Sequence, residues 1–298
     1  MQHSLRALAF TLLLALGVTS VNGQEVYSVW ENGPPTPNGL TGPEINEGCP
    51  RNISEASLTV FHPEAGKANG VSILVVPGGA YWVVCVDHEG KAVADLLVEK
   101  GYTVGVLKYR LPNGTLDVPF QDAQQAMRLM RSKASSWGVS ESNVGIFGFS
   151  AGGHLASTVG THFNTDFSHG KGDHLELSSR PDFMVLVYPV ISVTEEYGHA
   201  YSTLQLLGPE PDPALVERYS NDLQVTDQTP PTILIHSGDD QTVHSLNSVK
   251  FYSALRNANV PAELHIFEAG GHGYGLDPES ASGDWPALVE KWLSSRVK

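Results

Sequence analysis

The stretch that decides the fold is Gly148-Phe149-Ser150-Ala151-Gly152, which has the pattern Gly-x-Ser-x-Gly. An apolar run, Val144–Gly148, predicts a strand before it, and Ala151–His162 predicts a helix after it. A tight strand-to-helix turn lifts the serine above the sheet edge, and flanking glycines avoid clashes there. Free N–H groups at the start of the helix favour negative charge nearby. The pattern therefore predicts Ser150 as a nucleophile, with a chance Gly-Ser turn as the alternative.

A glycine-rich loop earlier in the chain predicts the groups that would stabilise a negatively charged oxygen. Val71–Val76 is largely apolar, as expected of a strand buried on both faces, and Pro77-Gly78-Gly79-Ala80-Tyr81 follows it. Backbone N–H groups in such a loop bind the oxyanion that forms when a serine attacks a carbonyl carbon. We expect the N–H groups of Gly79, Ala80 and Ala151 to do this. An ordinary Gly-Gly turn is the alternative.

The candidate base and acid follow later in the chain. His272 lies in Gly270-Gly271-His272-Gly273-Tyr274, shortly after the last predicted strand, and its flanking glycines would let the imidazole approach a serine. Of the twelve histidines, it alone combines this loop setting with a position after both Ser150 and an acid. The acid belongs in the loop after Thr232–His236, where Asp239 and Asp240 are adjacent and both qualify.

Strands and helices alternate around these motifs, which predicts a mostly parallel sheet covered by helices on both faces. The stretch at 24–56 is rich in Pro, Gly and Asn and predicts an extended N-terminal arm before a single domain at 57–298. Residues 191–229 leave room for a small cap with one short helix, Ala214–Tyr219. The remaining predicted strands are Leu58–His62, Thr103–Lys108, Phe183–Tyr188 and Glu263–Phe267, with helices near 90–100, 123–137, 246–258 and 285–296.

Composition excludes several classes of partner. The 298 residues carry 18 Lys plus Arg against 32 Asp plus Glu, a formal charge of −14, which argues against nucleic acid or an anionic membrane as the ligand. Two cysteines cannot build a disulfide scaffold or a four-cysteine zinc site. The His and Asp residues at 162–174 could in principle hold a metal, but flexible polar loops often contain such residues. We therefore expect no metal and no cofactor.

The N-terminus predicts export. Ala7–Val18 is an apolar run of signal-peptide length, and a small-x-small site precedes Gln24, so residues 1–23 are interpreted as a cleaved signal peptide. A hydrophobic helix packed on the domain and a retained membrane anchor are the alternatives. We expect a secreted or periplasmic protein without a stable anchor. In an oxidising compartment Cys49 and Cys85 could pair, although their spacing alone leaves this open.

Eight segments together resemble the secreted carbohydrate-esterase branch of the α/β-hydrolases, which includes bifunctional acetylxylan and feruloyl esterases. The resemblance covers about residues 57–296 and implies that fold, with a small cap. Family sequences run His-Gly-x-x-Asp-x-x-Val, which implies Asp240 as the acid and leaves Asp239 to turn or cap the loop. The resembling segments are VPGGAY, DHEG, VLKYRLP, QDAQQAMRLMRSKASSWGV, GFSAGGHLAS, RPDFMVLVYPVIS, HSGDDQTV and AGGHGYG.

The resemblance also implies a substrate class: acetyl esters on polysaccharide or oligosaccharide such as xylan, with feruloyl esters second. Tyr81, Trp82 and Tyr274 are candidates for stacking on sugar rings, with plain packing as the alternative. A lipase-like esterase, a prolyl-oligopeptidase-like peptidase and a non-catalytic binding protein are the competing functions. Glycoside hydrolysis needs a pair of carboxylates flanking the sugar bond, and the sequence proposes none.

Overall fold

A computed structural model describes residues 18–21, 24–194 and 196–295, so most of the predicted signal peptide lies outside the described residues. The described strands are β1 (Val18–Val21), β2 (Gln24–Ser28), β3 (Ile45–Asn46), β4 (Pro50–Arg51), β5 (Ser57–Phe61), β6 (Ser72–Val76), β7 (Thr103–Lys108), β8 (Val144–Phe149), β9 (Met184–Val187), β10 (Thr232–Ser237) and β11 (Ala262–Phe267). The α-helices are α1 (Ala92–Glu99), α2 (Val118–Lys133), α3 (Ser150–Thr161), α4 (Ala200–Leu207), α5 (Pro213–Tyr219), α6 (Leu246–Asn257) and α7 (Trp285–Ser294).

Nine of the strands in the described ranges form one sheet, in the order β1-β2-β5-β7-β6-β8-β9-β10-β11. From β7 to β11 every neighbouring pair is parallel, and β1, β2 and β5 add an antiparallel edge. Strands β6, β8 and β10 are buried along their whole length, as their continuous apolar sequences predict. Because these strands are parallel, the loops after them meet at one edge of the sheet.

Helices cover both faces of the sheet and enclose two apolar cores. One core includes Met127 of α2, Leu155 of α3 and Phe251 of α6. The other includes Val93 of α1 and Val289 of α7. The predicted α/β class with helices on both faces is therefore confirmed.

The N-terminal arm is more structured than the sequence predicts. Its first five residues form β2, which pairs antiparallel with β5 and so belongs to the main sheet. Farther along, the Trp30 indole N–H donates to the buried Asp122 carboxylate (2.6 Å), and the buried Arg110 donates to the carbonyl of Thr36 (2.6 Å). A five-residue strand among many Pro and Gly residues carries too little periodicity to be predicted.

A disulfide ties this arm to the loop that follows β6. Cys49 and Cys85 are bonded, with their Cα atoms 4.3 Å apart, and the N–H of Val84 donates to the carbonyl of Pro50 (2.9 Å). The sequence left this pairing open, and the structure forms it. The short β3–β4 hairpin is consequently held beside the loop that contains Gly79 and Ala80.

The cap contains two α-helices rather than the single predicted one. The expected helix is α5, whose start is capped by the Asp212 carboxylate accepting from the N–H of Ala214. The sequence did not predict α4, because its apolar residues do not form one stripe. Leu206 is buried, whereas Tyr201 and Leu204 are exposed.

Candidate active site

Ser150 lies at the turn between β8 and α3, as predicted. Its φ is +49°, a left-handed conformation that non-glycine residues seldom adopt. The two flanking glycines make the turn possible, because a side chain on either would collide with backbone. A Cβ on Gly152 would overlap the carbonyl oxygen of Val76, and one on Gly148 would overlap that of Gly152 itself. The serine is thus presented on a turn that its sequence context prescribes.

The structure brings Ser150, His272 and Asp240 into one hydrogen-bonded chain. The Ser150 hydroxyl lies 2.9 Å from His272 Nε2, and His272 Nδ1 lies 2.7 Å from Asp240 Oδ2. With the proton on Nδ1, the imidazole donates to the carboxylate and accepts from the serine. This is the arrangement in which a histidine can remove the proton of a serine hydroxyl.

Asp240 is buried, and its environment keeps it charged. Oδ1 accepts from the N–H groups of Thr242 (2.9 Å) and Val243 (2.8 Å). Burial by itself raises the pKa of this carboxyl, but hydrogen bonds from His236 and His272 outweigh burial and hold the pKa well below its ordinary value. A carboxylate that is ionised at neutral pH can fix the orientation of the imidazole.

Asp239 has a different place from its neighbour. It is exposed, and its carboxylate accepts from the N–H of Gly271 at 2.9 Å, next to His272 in sequence. The choice of Asp240 over Asp239 as partner of the imidazole therefore agrees with the observed contacts. Asp239 steadies the loop that carries the histidine.

The glycine-rich loop lies directly against the serine. A Cβ on Gly78 would come within 2.8 Å of Ser150 Cβ. Among the described residues, nothing accepts a hydrogen bond from the N–H of Gly79 or Ala80. Ala151 is the second residue of α3, so its N–H has no acceptor within the helix. The three expected donors therefore have no hydrogen-bond acceptor among the described residues.

The three aromatic candidates for substrate binding occupy different environments. Tyr81 is buried, and its hydroxyl donates to His154 Nδ1 at 2.8 Å. Tyr274 is buried too, with its ring 4.6 Å from that of Tyr188. Trp82 is 47% exposed. Of the three candidates, Trp82 alone is exposed, whereas Tyr81 and Tyr274 pack inside the protein. Sequence cannot separate these cases, because each aromatic residue lies in a similar loop.

A cavity of about 280 Å³ opens beside the glycine-rich loop. The N-terminal arm forms one wall and the cap contributes to another, so the two segments outside the regular alternation both border this space. Its lining combines apolar, aromatic and amide side chains with the guanidinium-bearing Arg51. Lining residues include Leu40, Ile45, Asn52, Trp82, Asn113 and Gln205.

Glu89 is a buried residue at this site that sequence reasoning missed. Its carboxylate accepts from the N–H of Gly78 (2.7 Å) and from the hydroxyl of Tyr188 (2.8 Å). Burial raises the pKa of this carboxyl, against the opposing effect of those two hydrogen bonds. In the sequence Asp87-His88-Glu89-Gly90, an acid before a helix is typical of a cap, so nothing in the pattern distinguishes the buried role.

Within the described ranges, no three His, Cys, Asp or Glu side chains come together as a metal-binding group. In the loop at 162–174, the Asp166 carboxylate instead accepts from the Ser168 hydroxyl and the N–H of Gly170, both at 2.6 Å. A search of the same residues finds no helix that could span a membrane.

Comparison with known proteins places these observations in a family. A model of the BD-FAE family matches residues 58–255. An acetylxylan esterase from Xylanibacter ruminicola is 37% identical over 226 residues, which cover 74% of this chain and 44% of that protein. An endo-1,4-beta-xylanase B from Butyrivibrio fibrisolvens is 34% identical over 218 residues, covering 72% of this chain and 34% of that protein. The chain thus spans less than half the length of these curated relatives.

Solved structures agree in fold. The acetyl ester-xyloside bifunctional hydrolase from Caldicellulosiruptor lactoaceticus superposes with a TM-score of 0.78 and 38% identity, covering 91% of this chain and 95% of that one. An esterase from Thermogutta terrifontis superposes with a TM-score of 0.68 over 82% of this chain and 88% of that one. At 23% identity, this second likeness shows the fold alone.

Proposed function

The chain belongs to the BD-FAE family of α/β-hydrolases, and from this we propose that it is a serine esterase that removes acetyl groups from xylan-type carbohydrate. The observation that carries the proposal is the hydrogen-bonded chain from Ser150 through His272 to Asp240. The family match and the 37% identity to an acetylxylan esterase support the substrate class.

In the proposed reaction, Ser150 Oγ attacks the ester carbonyl carbon while His272 Nε2 takes its proton. The Asp240 carboxylate stabilises the imidazolium, and the N–H groups of Gly79, Ala80 and Ala151 hold the oxyanion. The imidazolium then gives its proton to the leaving sugar oxygen, and the acyl-enzyme forms. Water, deprotonated by His272, attacks that ester, so that acetate leaves and the serine hydroxyl is restored.

We propose that the sugar of the ester lies in the cavity beside Trp82. Its exposed ring offers an apolar face on which the C–H side of a pyranose can stack. The amide of Gln205 lines the same space and suits sugar hydroxyls. Asn52 and Asn113 line it too, but their amide nitrogens donate to backbone carbonyls, so we propose their side-chain oxygens as acceptors for sugar hydroxyls. The cap is small, which favours an open site that a polymer can cross while a short acyl group enters beside Ser150.

The preference for acyl chain length and the activity on acetylated xylan together test this substrate assignment. We expect acetate release from acetylated xylan, with feruloyl esters as second substrates, and kcat/KM for p-nitrophenyl esters that does not rise from acetate to octanoate. Each buried methylene contributes about 0.8 kcal/mol, so a deep acyl tunnel would show a steep rise. A tenfold preference for octanoate with no acetate released from xylan would favour a lipase-like esterase. Cleavage of prolyl peptides would favour a peptidase instead.

The proposal is limited to ester hydrolysis, although one structural neighbour is described as bifunctional on acetyl esters and xylosides. Glycoside cleavage uses two carboxyl groups that face the sugar bond. The two buried carboxyls described at this site, Glu89 and Asp240, are each engaged in hydrogen bonds within the protein. We expect no release of p-nitrophenol from a p-nitrophenyl xyloside, and measurable release would contradict this limit.

We further propose that residues 1–23, which include the edge strand β1, are removed as a signal peptide, so that β2 becomes the edge of the mature sheet, and that the protein acts outside the cytoplasm. The apolar run Ala7–Val18 and the Cys49–Cys85 disulfide support this, because disulfides persist mainly in oxidising compartments. N-terminal sequencing of protein recovered from the medium or periplasm should begin at Gln24. Recovery of the intact chain in the cytoplasm would contradict the proposal.

A further inference from the structure

The buried carboxylate of Glu89 reaches both sides of the active site. On one side Oε2 accepts from the N–H of Gly78 at 2.7 Å. Gly78 lies against Ser150 and immediately precedes two of the proposed oxyanion donors. The carboxylate therefore holds the start of the glycine-rich loop at residues 77–81, which we call the oxyanion loop.

On the other side Glu89 contacts, through Tyr188, the loop at residues 270–275 that carries His272, which we call the histidine loop. Oε1 accepts from the Tyr188 hydroxyl at 2.8 Å, and that hydroxyl oxygen accepts from the N–H of Gly275 at 3.1 Å. The Tyr188 ring packs against the imidazole of His272, with the ring centres 4.8 Å apart. One carboxylate thus links the loop after β6 to the loop after β11.

We propose that Glu89 is a positioning residue for ester hydrolysis, holding the oxyanion loop through Gly78 and the histidine loop through Tyr188. The inference rests on the proposed esterase function. Both carboxylate oxygens act as acceptors, so the ionised form satisfies every contact that the structure shows. Glu89 touches none of the reacting atoms and acts only through its two partners.

Packing alone does not account for this residue. Glu89 is 5% exposed, and burying a carboxylate is costly unless each oxygen finds a donor. The oxyanion loop already has one other hydrogen bond that holds its first residue, since the buried Tyr109 hydroxyl donates to the carbonyl of Pro77 at 3.0 Å. The hydrogen bond from Gly78 to Glu89 additionally fixes the direction in which the N–H groups of the loop point. That direction matters when negative charge develops on the substrate oxygen.

Kinetics of Glu89→Ala, Glu89→Gln and Tyr188→Phe on p-nitrophenyl acetate test the proposal, with rates normalised to active sites titrated by a phosphonate. Glu89→Ala should lower kcat about 100-fold with KM nearly constant, because oxyanion stabilisation operates in the transition state. Glu89→Gln keeps an acceptor for Gly78 and should recover part of that loss. Tyr188→Phe should lower kcat about tenfold and remains informative if Glu89→Ala does not fold.

A trifluoromethyl ketone supplies a second measurement. It forms a hemiketal with the serine and fills the oxyanion site, so its inhibition constant should rise in parallel with the loss in kcat/KM. Tyr102→Phe is the matched control, since Tyr102 is a buried tyrosine outside this network, and it should leave kcat within about twofold.

The outcomes separate the two claims. An inactive wild-type enzyme on p-nitrophenyl acetate would overturn the esterase assignment and the positioning role with it. An active wild type whose Glu89 and Tyr188 variants turn over normally per titrated site would overturn the positioning role alone. Equal losses in the Tyr102→Phe control would also overturn it, because the effect would then reflect general loosening of the core.

Discussion

The two sides of the active site are held in different ways. The oxyanion loop is fixed from within, because Gly78 binds the buried Glu89 and Tyr81 binds the buried His154. The histidine loop is held partly at the surface, where the exposed Asp239 accepts from the N–H of Gly271. His272 itself keeps 17% of its side chain exposed.

This difference matches what each side has to do. The oxyanion donors must already point at the place where charge develops, and rigid buried contacts achieve that. The imidazole must exchange protons with the serine, the leaving group and water, which requires an accessible ring. We therefore expect changes on the oxyanion side to reduce stability and kcat together. Changes at the exposed groups of the histidine side, His272 and Asp239, should reduce kcat with little effect on stability.

The largest effect should come from Ser150→Ala and His272→Ala. Each should lower kcat on p-nitrophenyl acetate by at least about 1,000-fold, because the members of such a chain act as a unit. Melting temperatures measured by calorimetry should stay close to that of the wild type. A variant of either kind that keeps a tenth of the activity would rule out the proposed roles.

The adjacent aspartates offer a matched pair on the histidine side. Asp240→Asn should lower kcat by about 10³- to 10⁴-fold, because the amide no longer holds the imidazole in the required tautomer. Asp239→Asn keeps an oxygen acceptor for Gly271 and should cost less than tenfold. Steady-state kinetics of the two variants, made in parallel, give the ratio. Equal losses in kcat would show that the conformation of the loop at 239–240, rather than the Asp240 carboxylate, determines the rate.

Acid should destabilise the oxyanion side through His154, the hydrogen-bond partner of Tyr81. Burial lowers the pKa of His154 to about 4, from an ordinary value near 6.5. Between these pH values the unfolded chain binds a proton at this position that the folded chain does not, so the contribution of His154 to stability is complete above about pH 6.5 and is lost as the pH falls towards 4. Urea unfolding at several pH values should show this slope. The slope should become shallower in His154→Gln, with the remainder coming from His162, whose pKa burial also lowers to about 4. It should keep its full size in the control His62→Gln, which changes an exposed histidine.

A glycine of the serine turn tests the coupling of stability and rate. In Gly152→Ala the new methyl would overlap the carbonyl oxygens of Val76 and Pro77, so that β6 and the oxyanion loop must shift. We expect a loss of about 1–3 kcal/mol in unfolding free energy together with a fall in kcat of tens-fold. Urea unfolding and ester kinetics on the same preparation measure both. A fall in unfolding free energy without a fall in kcat, or the reverse, would contradict the expectation that the two change together on the oxyanion side.

The smallest effect concerns the sugar cavity. Trp82→Ala should raise KM for acetylated xylo-oligosaccharide about tenfold relative to KM for p-nitrophenyl acetate, because the stacking face is lost. Leu175→Ala is the control, since it removes an exposed apolar side chain that does not line the cavity. An equal rise in KM for both substrates would place Trp82 at the acyl group instead of the sugar.

The sequence predicted that Ser150, His272 and one of the aspartates at 239–240 meet, because each follows a strand of a parallel sheet, and the family pattern implied Asp240. In such a sheet the carboxyl ends of the strands lie at one edge, so order along the chain translates into proximity. The glycines at the serine turn can also be predicted from sequence, since the collision that a side chain would cause there is a property of the turn itself. These parts of the site depend on short-range patterns.

The rest depends on contacts between distant segments, which no local pattern encodes. Glu89 meets Tyr188 across 99 positions of the chain, and both its burial and its partners arise only in the folded protein. Strand β2 and the cap helix α4 carry weak periodicity, because each has few residues and mixed exposure. Tyr81 and Tyr274 look like surface aromatics in sequence and turn out to be buried.

The most direct test of the central claim is to treat the wild-type protein with a fluorophosphonate and locate the label by mass spectrometry. We expect one phosphonylated residue, Ser150, within the peptide that contains Gly148-Phe149-Ser150-Ala151-Gly152, and loss of ester hydrolysis in proportion to labelling. Ser150→Ala should remain unlabelled. Label on another residue, or full hydrolysis of acetyl esters by protein whose Ser150 is completely modified, would contradict the account.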